Sequence, residues 1–426
     1  MPRQAHADSW YAATAHPQPD YPELTGALSC DVCVVGGGYT GVTTALELAE
    51  RGLDVVLLEA NRIGWGASGR NGGQICTGFS SGPDKLIDWV GLEDARRLFA
   101  MTEEGKQIIR DRVAKHGIDC DLTWGYFHAA DRPRELRECE EAAETLSKLG
   151  YEAQEMVRGA EAARQHAASP RYIGGLYESG AGHLHPLNYC LGLARAAAAA
   201  GVRIFEGTRA ESIDTEAAKV ATAKGSVSAK FLVLAMNAYL SDLVPGLRSR
   251  IMPVGTYIAA TETLGENRAK GLIPRNAAVA DMKFVLNYFR RSSDHRLLFG
   301  GRVSYSTLMP PNLPRAMRQK MLEVYPDLAD VGFDFTWGGF VAITVERSPH
   351  LGRIGQRTFF AQGFSGSGVT LTGIAGRVLA EAIAGQAGRL DLFAKLPHTP
   401  FPGGRILRTP SLVLAMLWYR LRDLVP

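Results

Sequence analysis

We predict an α/β fold with two domains from three features of the sequence. A strand–turn–helix–strand unit runs from Asp31 to Glu59, and a second strand–glycine loop–helix unit begins at Thr358. Between them lie four segments rich in aromatic and β-branched residues, which favour strands: residues 252–263, 284–290, 296–303 and 333–340. The two units predict one parallel sheet that is discontinuous in sequence. The four segments predict an α+β domain with a mainly antiparallel sheet.

The composition is that of a globular protein with a large core. Of the 426 residues, 46% are hydrophobic and 21% are charged, which excludes an intrinsically disordered chain. The net charge is only +3, because 47 Lys and Arg nearly balance 44 Asp and Glu. A strongly basic nucleic-acid binder is therefore not indicated. No disulfide framework is expected, since none of the six cysteines lies beyond Cys190.

The sequence shows neither a secretory signal nor a membrane-spanning segment. The N-terminal residues have no long apolar core, and no run of about 18 apolar residues occurs. We therefore expect a cytoplasmic protein. Cys30 and Cys33 form a C-x-x-C pattern, but Cys33 lies within an apolar strand. That position favours two buried thiols over a redox or zinc pair.

The turn after the first strand carries a G-x-G-x-x-G pattern at Gly36, Gly38 and Gly41. In a Rossmann-like unit, the first glycine allows the tight turn and the second lets a pyrophosphate approach the backbone. The third lets the helix pack closely on the strand, and the helix N-terminus offers free N–H groups to the anion. Glu59 ends the next strand, where a carboxylate accepts both ribose hydroxyls of an adenosine and repels a 2′-phosphate. Together these features predict a dinucleotide site that disfavours NADP.

A long, polar, glycine-rich loop follows, from Ala60 to Gln74. A nicotinamide site does not need such a loop, whereas its backbone N–H groups can follow a second phosphate and a flavin ring. The alternative is a flexible surface loop, which is disfavoured because Arg70 and Asn71 stand between glycines.

The second unit has the same order of elements. Residues 358–361 predict a strand, residues 363–368 read GFSGSG, and a helix follows. The positive end of that helix can face negative charge that develops on a reduced flavin. Residues 231–235 predict another buried strand of the same sheet, so the nucleotide domain is discontinuous.

Several stretches of the chain resemble the FAD-dependent amine and amino-acid oxidases related to glycine oxidase, sarcosine oxidase and D-amino-acid oxidase. They are CDVCVVGGGYTG, GASGRNGGQ, GHLHPLN, QGFSGSGVT and FPGGRILRTP with YRLRD, and the resemblance covers nearly the whole chain. It implies a Rossmann-like FAD-binding domain with an antiparallel sheet over the flavin. It also implies an enzyme in which hydride passes from the α-carbon of an amine to flavin N5, leaving an imine.

The resemblance and the motifs give a set of predicted FAD-binding residues. They are Gly36, Gly38, Tyr39, Thr40, Gly41, Glu59, Ala60, Gly66, Ala67, Ser68, Arg70, Asn71, Gly72, Gly73, Gln74, Gly363, Phe364, Ser365, Gly366, Gly368 and Val369. Relatives of the sarcosine-oxidase type tether the flavin through a cysteine late in the chain. Because no cysteine follows Cys190, we expect FAD to be bound noncovalently.

The predicted domains alternate along the chain. We assign residues 1–91, 150–246 and 346–390 to the FAD-binding domain, residues 92–149 and 247–345 to the substrate domain, and residues 391–426 to a C-terminal tail. Two helical patterns within residues 92–149 are expected to flank the substrate domain.

The substrate pocket has four candidate catalytic residues, each with an alternative role. Tyr257 and Tyr288, together with Trp337, are expected to form pocket walls, although buried aromatics in strands are often core residues. Arg302 can hold a substrate carboxylate, or can be a solvated strand end. His350 is expected beside the flavin, with a surface-loop histidine as the alternative.

Two features bear on carboxylate binding and on metal binding. In glycine-oxidase-like relatives a carboxylate-binding arginine lies near the position of Val341, so simple α-amino-acid recognition is not expected here. His183 and His185 have a spacing that suits a metal, but no third ligand is evident, so we interpret them as structural or pocket-edge residues and predict no metal site.

The substrate is expected to be a small carboxylated amine. The resemblance is closest to enzymes that oxidise γ-glutamylputrescine or L-pipecolate, and Arg302 with the apolar tail favours an L-pipecolate-like substrate. γ-Glutamylputrescine is the first alternative, and an amino-acid dehydrogenase that passes electrons to quinone is the second. A third class, a protein that uses FAD structurally or in RNA modification, is disfavoured by the modest net charge.

The electron acceptor is expected to be oxygen or a membrane quinone. Sarcosine-oxidase-like enzymes use a pocket lysine to promote the reaction with oxygen, and residues 296–301 contain none, although Arg302 or Lys283 can substitute. The tail is apolar and edged by arginines. It suits either a peripheral contact with the inner face of the membrane or packing on the protein itself.

Overall fold

The computed structural model of the chain describes residues 3–283, 286–301 and 312–402. The strands are β1 (Gly26–Val35), β2 (Val55–Leu58), β3 (Gln74–Ile75), β4 (Thr123–Ala130), β5 (Gln154–Arg158), β6 (Gly174–His183), β7 (Arg203–Phe205), β8 (Ala210–Asp214), β9 (Lys219–Thr222), β10 (Gly225–Leu234), β11 (Met252–Thr261), β12 (Ala278–Asp281), β13 (Asn287–Arg291), β14 (Leu297–Gly301), β15 (Phe333–Ile343), β16 (His350–Ile354) and β17 (Thr358–Gln362). The α-helices are α1 (Trp10–Ala13), α2 (Tyr39–Ala49), α3 (Pro83–His116), α4 (Pro133–Lys148), α5 (Ala160–Arg164), α6 (Pro186–Ala199), α7 (Pro245–Arg248), α8 (Glu266–Leu272), α9 (Leu313–Val324), α10 (Gly368–Ile383) and α11 (Gly388–Phe393).

The first sheet has the strand order β16-β17-β10-β1-β2-β7, with the β8–β9 hairpin attached to β10. Strands β17, β10, β1, β2 and β7 run parallel, and β16 is antiparallel to β17. Helices α2, α6 and α10 contribute to the core on one face, and the hairpin contributes to the core on the other. Strands buried on both faces are apolar throughout, as in residues 32–35. The predicted parallel sheet, built from segments separate in sequence, is confirmed.

The second sheet has the order β15-β11-β14-β13-β12-β4-β6-β3, with β5 paired to β6. Its described strand pairs are antiparallel except β4 with β12, which confirms the prediction of a mainly antiparallel sheet. The predicted strands at 252–263, 296–303 and 333–340 correspond to β11, β14 and β15. The segment 284–290 contributes only its end to β13, and Phe284 and Val285 lie outside the described residues.

The course of the chain differs from the predicted domain bounds in two places. Strands β5 and β6 belong to the second sheet, although residues 150–246 were assigned to the FAD-binding domain. Helix α3 packs on α10 and α6 beside the first sheet, although residues 92–149 were assigned to the substrate domain. Strand β6 reads GGLYESGAGH, and its four glycines give no β-branched pattern that sequence reasoning could detect.

Only part of the predicted tail lies within the described residues. Residues 391–402 include the end of α11 and a segment whose Phe401 N–H donates to the Ser249 carbonyl at 2.9 Å. Residues 403–426, which carry the apolar stretch and the arginines, lie outside the described residues. Among the helices that the structure describes, none is long and apolar enough to cross a bilayer.

A buried carboxylate joins three helices above the first sheet. Glu47 of α2 has a side chain only 4% exposed and accepts from Arg112 of α3 at 2.6 Å and from Arg377 of α10 at 3.1 Å. Arg51 of α2 binds its other oxygen at 2.6 Å. Burial alone would raise the pKa of Glu47, but Arg51, Arg377 and Arg112 lower it below its usual value. The packing of α2, α3 and α10 therefore depends on this charge.

We predict that Glu47→Gln lowers the free energy of unfolding by about 3–5 kcal/mol at pH 7, because it leaves three guanidinium groups around a neutral amide. Because the pKa of Glu47 is lowered in the folded protein, its stabilisation is present above the unfolded pKa of about 4.3 and is lost as the pH falls through the folded pKa. The difference between wild type and variant should therefore shrink in acid. Chemical denaturation followed by circular dichroism at several pH values measures this difference.

Glu266→Gln is the matched control. Glu266 pairs with Lys270 at 2.6 Å on α8, but both side chains are more than half exposed, so its loss should leave the unfolding curve unchanged. Equal destabilisation by the two substitutions would show that the Glu47 cluster does not hold the helices together.

Candidate active site

The turn between β1 and α2 is too closely packed for any residue but glycine at two positions. Gly36 has φ of +112°, and a Cβ there would lie 2.8 Å from the Ala235 carbonyl oxygen. A Cβ on Gly41 would lie 1.8 Å from the Gly36 carbonyl oxygen. Helix α2 thus begins directly at the carboxyl end of β1, where its first N–H groups can face an anion.

Glu59 is held in place at the end of β2. Its carboxylate accepts N–H groups from Gly37 at 2.7 Å and from Asn61 at 2.8 Å, one on each oxygen. The side chain faces the cavity on one side, and burial on its other sides raises its pKa. A carboxylate has about four acceptor positions, so two remain for ligand hydroxyls. The glycine turn and this carboxylate fit the adenosine diphosphate half of FAD.

A single cavity of about 880 Å³ extends from this turn to the second sheet. Its walls come from the carboxyl ends of β1, β2 and β10, from the loop after Glu59, from the loop before α10, and from the second sheet. In open α/β sheets, ligands bind at this edge. The cavity is at the upper end of the usual range for ligand sites, as a dinucleotide together with a substrate requires.

The loop from Ala60 to Gln74 is ordered by its own polar contacts. Arg70 donates from Nε to the Trp65 carbonyl at 2.9 Å, and its guanidinium lies 4.5 Å from the centre of the Trp65 ring. Asn71 donates to the Ala67 and Ser68 carbonyls and accepts the Gly73 N–H at 2.7 Å. The alternative of a flexible surface loop does not fit this arrangement.

The loop before α10 lies against the segment that follows β3. Ser367 Oγ is 2.9 Å from Ser80 Oγ, and Thr370 donates its hydroxyl to the Cys76 carbonyl at 2.8 Å. The start of α10 lines the cavity at Gly368 and Val369. The positive end of this 16-residue helix therefore faces the ligand space, as a site for a reduced flavin requires.

Most of the predicted FAD-binding residues line the cavity. They are Gly36, Gly38, Tyr39, Thr40, Glu59, Ala60, Gly66, Ala67, Ser68, Arg70, Asn71, Gly72, Gln74, Phe364, Ser365, Gly366, Gly368 and Val369. Gly41, Gly73 and Gly363 are not part of the lining and lie against neighbouring protein atoms. The contacts of the lining residues with FAD stay a prediction.

Of the three candidate catalytic residues that the structure describes, one lines the cavity. Tyr288 lines it. Tyr257 does not, because successive strand residues face opposite sides, and Thr256 takes the cavity side while Tyr257 joins the core beyond the sheet. His350 does not line the cavity either; it stacks on His398 with ring centres 4.2 Å apart and is 3.2 Å from the Gln362 amide. Arg302 lies outside the described residues.

Trp337, His183 and His185 have structural contacts. Trp337 donates from Nε1 to the Arg70 carbonyl at 3.1 Å, so it supports the loop from behind instead of forming a cavity wall. His183 Nε2 is 2.8 Å from the Asn276 carbonyl, and His185 Nδ1 accepts the Asn188 N–H at the start of α6. Among the described residues, no three His, Cys, Asp or Glu side chains are grouped as metal ligands.

Sequence reasoning missed the residues that the second sheet contributes beside Tyr288. Tyr126 and His128 of β4 line the cavity, as do Cys76 and Thr77 after β3. The sequence signal was the segment GYFHAA, in which a tyrosine and a histidine alternate with the buried Phe127. Alternation of this kind places two polar side chains on one face of a strand.

Cys76 is the one described cysteine among the cavity-lining residues. Burial raises the pKa of its thiol to about 12, so the thiol stays protonated and is a poor nucleophile. Noncovalent binding of FAD therefore stays our prediction, and we expect no covalent bond between Cys76 and the flavin.

Comparison with known proteins gives consistent similarities. A family described as FAD dependent oxidoreductase matches residues 31–382. The chain is 44% identical over 420 residues to gamma-glutamylputrescine oxidoreductase of Escherichia coli (strain K12), covering 98% of each chain. It is 39% identical to the probable oxidoreductase OrdL of Haemophilus influenzae, covering 99% of this chain and 98% of the other. The crystal structure of glycine oxidase from Bacillus cereus has the same fold, with a TM-score of 0.70 at 21% identity, covering 85% of this chain and 97% of that one.

We predict that Glu59→Ala weakens FAD binding, because the ribose hydroxyls lose an ionised acceptor. Charge-assisted hydrogen bonds contribute about 1.5–3 kcal/mol, so the dissociation constant should rise roughly tenfold to a hundredfold. Flavin absorbance per polypeptide after purification, and titration of the apoprotein with FAD, measure the change.

Glu59→Gln keeps one acceptor for the Gly37 or Asn61 N–H and separates loss of charge from distortion of the turn. Glu161→Gln on α5 is the control, since this residue is exposed and is not part of the cavity lining. Wild-type flavin content in both Glu59 variants would contradict the role of Glu59 at the adenosine.

Proposed function

Since this chain belongs to the family of FAD-dependent oxidoreductases that act on C–N bonds of amines, we propose that it oxidises the terminal primary amine of γ-glutamylputrescine or a closely similar acylated diamine. Bound FAD supplies a two-electron acceptor for the hydride that leaves the carbon next to the nitrogen. The chain itself must bind the amine, orient it and exclude water.

The single observation that carries this proposal is a buried carboxylate directly behind a residue of the cavity wall. Glu178 of β6 is 2% exposed and pairs with His128, which lines the cavity, at 2.7 Å between Oε2 and Nε2. Burial would raise the pKa of Glu178, but His128, Thr77 and Lys106 lower it, so a carboxylate lies behind His128. A carboxylate suits an ammonium group and repels a second carboxylate placed beside it.

The wall at Val341 supports the same class of substrate. Val341 lines the cavity with an apolar side chain, at the position where the resemblance implies a carboxylate-binding arginine in glycine-oxidase-like relatives. An amine whose carboxylate is several bonds away fits this wall better than an α-amino acid does. The rings of Tyr126 and Tyr288 add apolar surface that favours the uncharged amine.

The expectation of an L-pipecolate-like substrate has no support within the described residues. It rested on Arg302 and on the tail, and both lie in ranges that the structure does not describe. The relative with 44% identity over nearly the whole chain instead supports γ-glutamylputrescine.

We predict that γ-glutamylputrescine reduces the bound flavin at least tenfold faster than L-pipecolate, because pipecolate places its carboxylate next to the reacting carbon. Anaerobic stopped-flow mixing that follows loss of flavin absorbance measures the two rates. Putrescine is the control for the glutamyl group, and glycine is the control for α-amino acids. Faster reduction by L-pipecolate than by γ-glutamylputrescine would overturn the proposal.

We also propose that a quinone, and not oxygen, is the preferred electron acceptor. Among the described residues that line the cavity there is no lysine. Lys283, the predicted substitute, is instead paired with Asp131 at 3.0 Å. Neither a cavity-lining lysine nor Lys283 therefore provides the positive charge that would stabilise superoxide as it forms. Arg302, the other predicted substitute, lies outside the described residues.

We predict that the reduced enzyme is reoxidised at least tenfold faster by a soluble quinone than by oxygen at equal concentration. Stopped-flow mixing of the anaerobically reduced enzyme with each acceptor measures this ratio. Lys283→Met should not change the reaction with oxygen, since Lys283 is not part of the cavity lining. Rapid reoxidation by oxygen would contradict the proposed acceptor.

A further inference from the structure

A carboxylate–imidazole pair lies on the cavity side of the second sheet. Glu178 is directly opposite Tyr126 in the pairing of β6 with β4, so the two side chains share a face of the sheet. His128 shares that face because it is two residues from Tyr126. Both β4 residues line the cavity, and the His128 side chain is 32% exposed there.

The pair fixes which imidazole nitrogen carries the proton. An ionised carboxylate only accepts hydrogen bonds, so at 2.7 Å from Glu178 Oε2 the His128 Nε2 must be the donor. In the neutral ring, Nδ1 then holds the free electron pair. His128 is therefore prepared to accept a proton at Nδ1, and Glu178 stabilises the imidazolium that results.

Charged and titratable groups surround the pair. Lys106 of α3 is 1% exposed, pairs with Glu103 at 2.7 Å, donates to Thr77 at 3.1 Å and lies 4.6 Å from the centre of the Tyr151 ring. Tyr126 lies with its ring centre 4.6 Å from that of His128, and the protonated Cys76 interacts with Tyr126 and with Glu178. Tyr151, Arg110 and Asp281 are the other titratable groups that interact with this cluster.

The pair lies at the flavin end of the cavity and not at the adenosine end. Thr77 is hydrogen-bonded to Glu178 of the pair. Thr77 lies in the segment from Cys76 to Ser80, and this segment contacts the loop before α10 and the first turn of α10 through Ser367 and Thr370. Glu59, in contrast, lines the cavity at the end of β2 with Thr208 and Arg209.

We propose that Nδ1 of His128 takes the proton from the substrate ammonium group before hydride transfer, and that Glu178 is the residue that positions His128. The inference rests on the proposed function. One N–H bond of the ammonium breaks and leaves its electron pair on nitrogen, one Nδ1–H bond forms, and no electrons are exchanged. Bound FAD would then accept the hydride that the α-carbon of the uncharged amine loses, the product would be a protonated imine, and His128 would return its proton to water.

The need for this step follows from the acidity of alkylamines. With a pKa near that of lysine, about 10.4, only about one amine in a thousand is uncharged at pH 7.4. Hydride can leave the α-carbon only when the nitrogen has a free electron pair to stabilise the cation. A base in the cavity removes that limitation at neutral pH.

The test compares His128→Gln with wild type in anaerobic reduction by γ-glutamylputrescine between pH 6 and pH 10. Glutamine keeps a donor for Glu178 but has no basic nitrogen. At pH 7 the second-order rate constant for flavin reduction should fall about a hundredfold, within the range for general bases. The deficit should disappear near pH 10, where the solution itself supplies uncharged amine. His16→Gln, at a histidine that is 41% exposed and is not part of the cavity lining, should follow wild type.

Glu178→Gln is the second variant and tests positioning. Without the carboxylate, His128 Nε2 loses the acceptor that keeps Nδ1 free, so the rate at neutral pH should fall while the flavin content stays that of wild type. Long-range ¹H–¹⁵N spectra of the flavin-loaded protein give a readout other than activity, and should show His128 protonated at Nε2 and not at Nδ1 in wild type.

Three results would overturn the proposal. They are wild-type reduction at pH 7 in His128→Gln, a deficit that stays constant up to pH 10 with normal flavin content, and an Nδ1-protonated ring in the spectra. If γ-glutamylputrescine and putrescine both fail to reduce wild type at any pH, the proposed function itself is wrong and this step with it. The two failures are therefore distinguishable. If γ-glutamylputrescine reduces wild type and His128→Gln equally fast at pH 7, only the proton transfer to His128 is contradicted and the proposed function stands.

Discussion

The close contact between α2 and β1 is the constraint on which the site depends. Because Gly41 has no side chain, the helix approaches the Gly36 carbonyl at a distance that no Cβ would permit. That contact places the helix N-terminus at the carboxyl edge of the sheet. It also brings Gly37 within 2.7 Å of the Glu59 carboxylate, so the anion position and the ribose acceptor are fixed by the same turn.

The other helices of the first sheet are aligned with α2 by charge as well as by apolar packing. Glu47 connects α2 to α3 through Arg112 and to α10 through Arg377. The start of α10 lines the cavity, so a charge cluster at one end of these helices helps to orient the helix terminus that faces the ligand. A buried ion pair of this kind contributes geometry at least as much as net stability.

The second sheet completes the site by presenting one face to the cavity. Trp337 and Arg70 connect this sheet to the loop after Glu59, through the indole N–H and through the Gly338 carbonyl. Alternation along the strands then decides which side chains meet the ligand, since Tyr126, His128 and Thr256 face the cavity while Phe127 and Tyr257 face the core behind the sheet. The candidate chemistry of the amine thus lies on this sheet, and the candidate nucleotide site lies on the first.

The sequence by itself determined the nucleotide half, because its signals are local. The glycine turn, Glu59 and the GFSGSG loop each combine backbone and side-chain requirements within a few residues, and the predicted parallel sheet is the one observed. Only the tertiary structure decided the substrate half. Glu178 and His128 are 50 residues apart and meet through the register of β4 with β6, a strand whose four glycines carry no pattern. Sequence reasoning expected Tyr257 and His350 at the ligand site, but neither lines the cavity. The face that a strand residue presents depends on pairing partners that are distant in sequence.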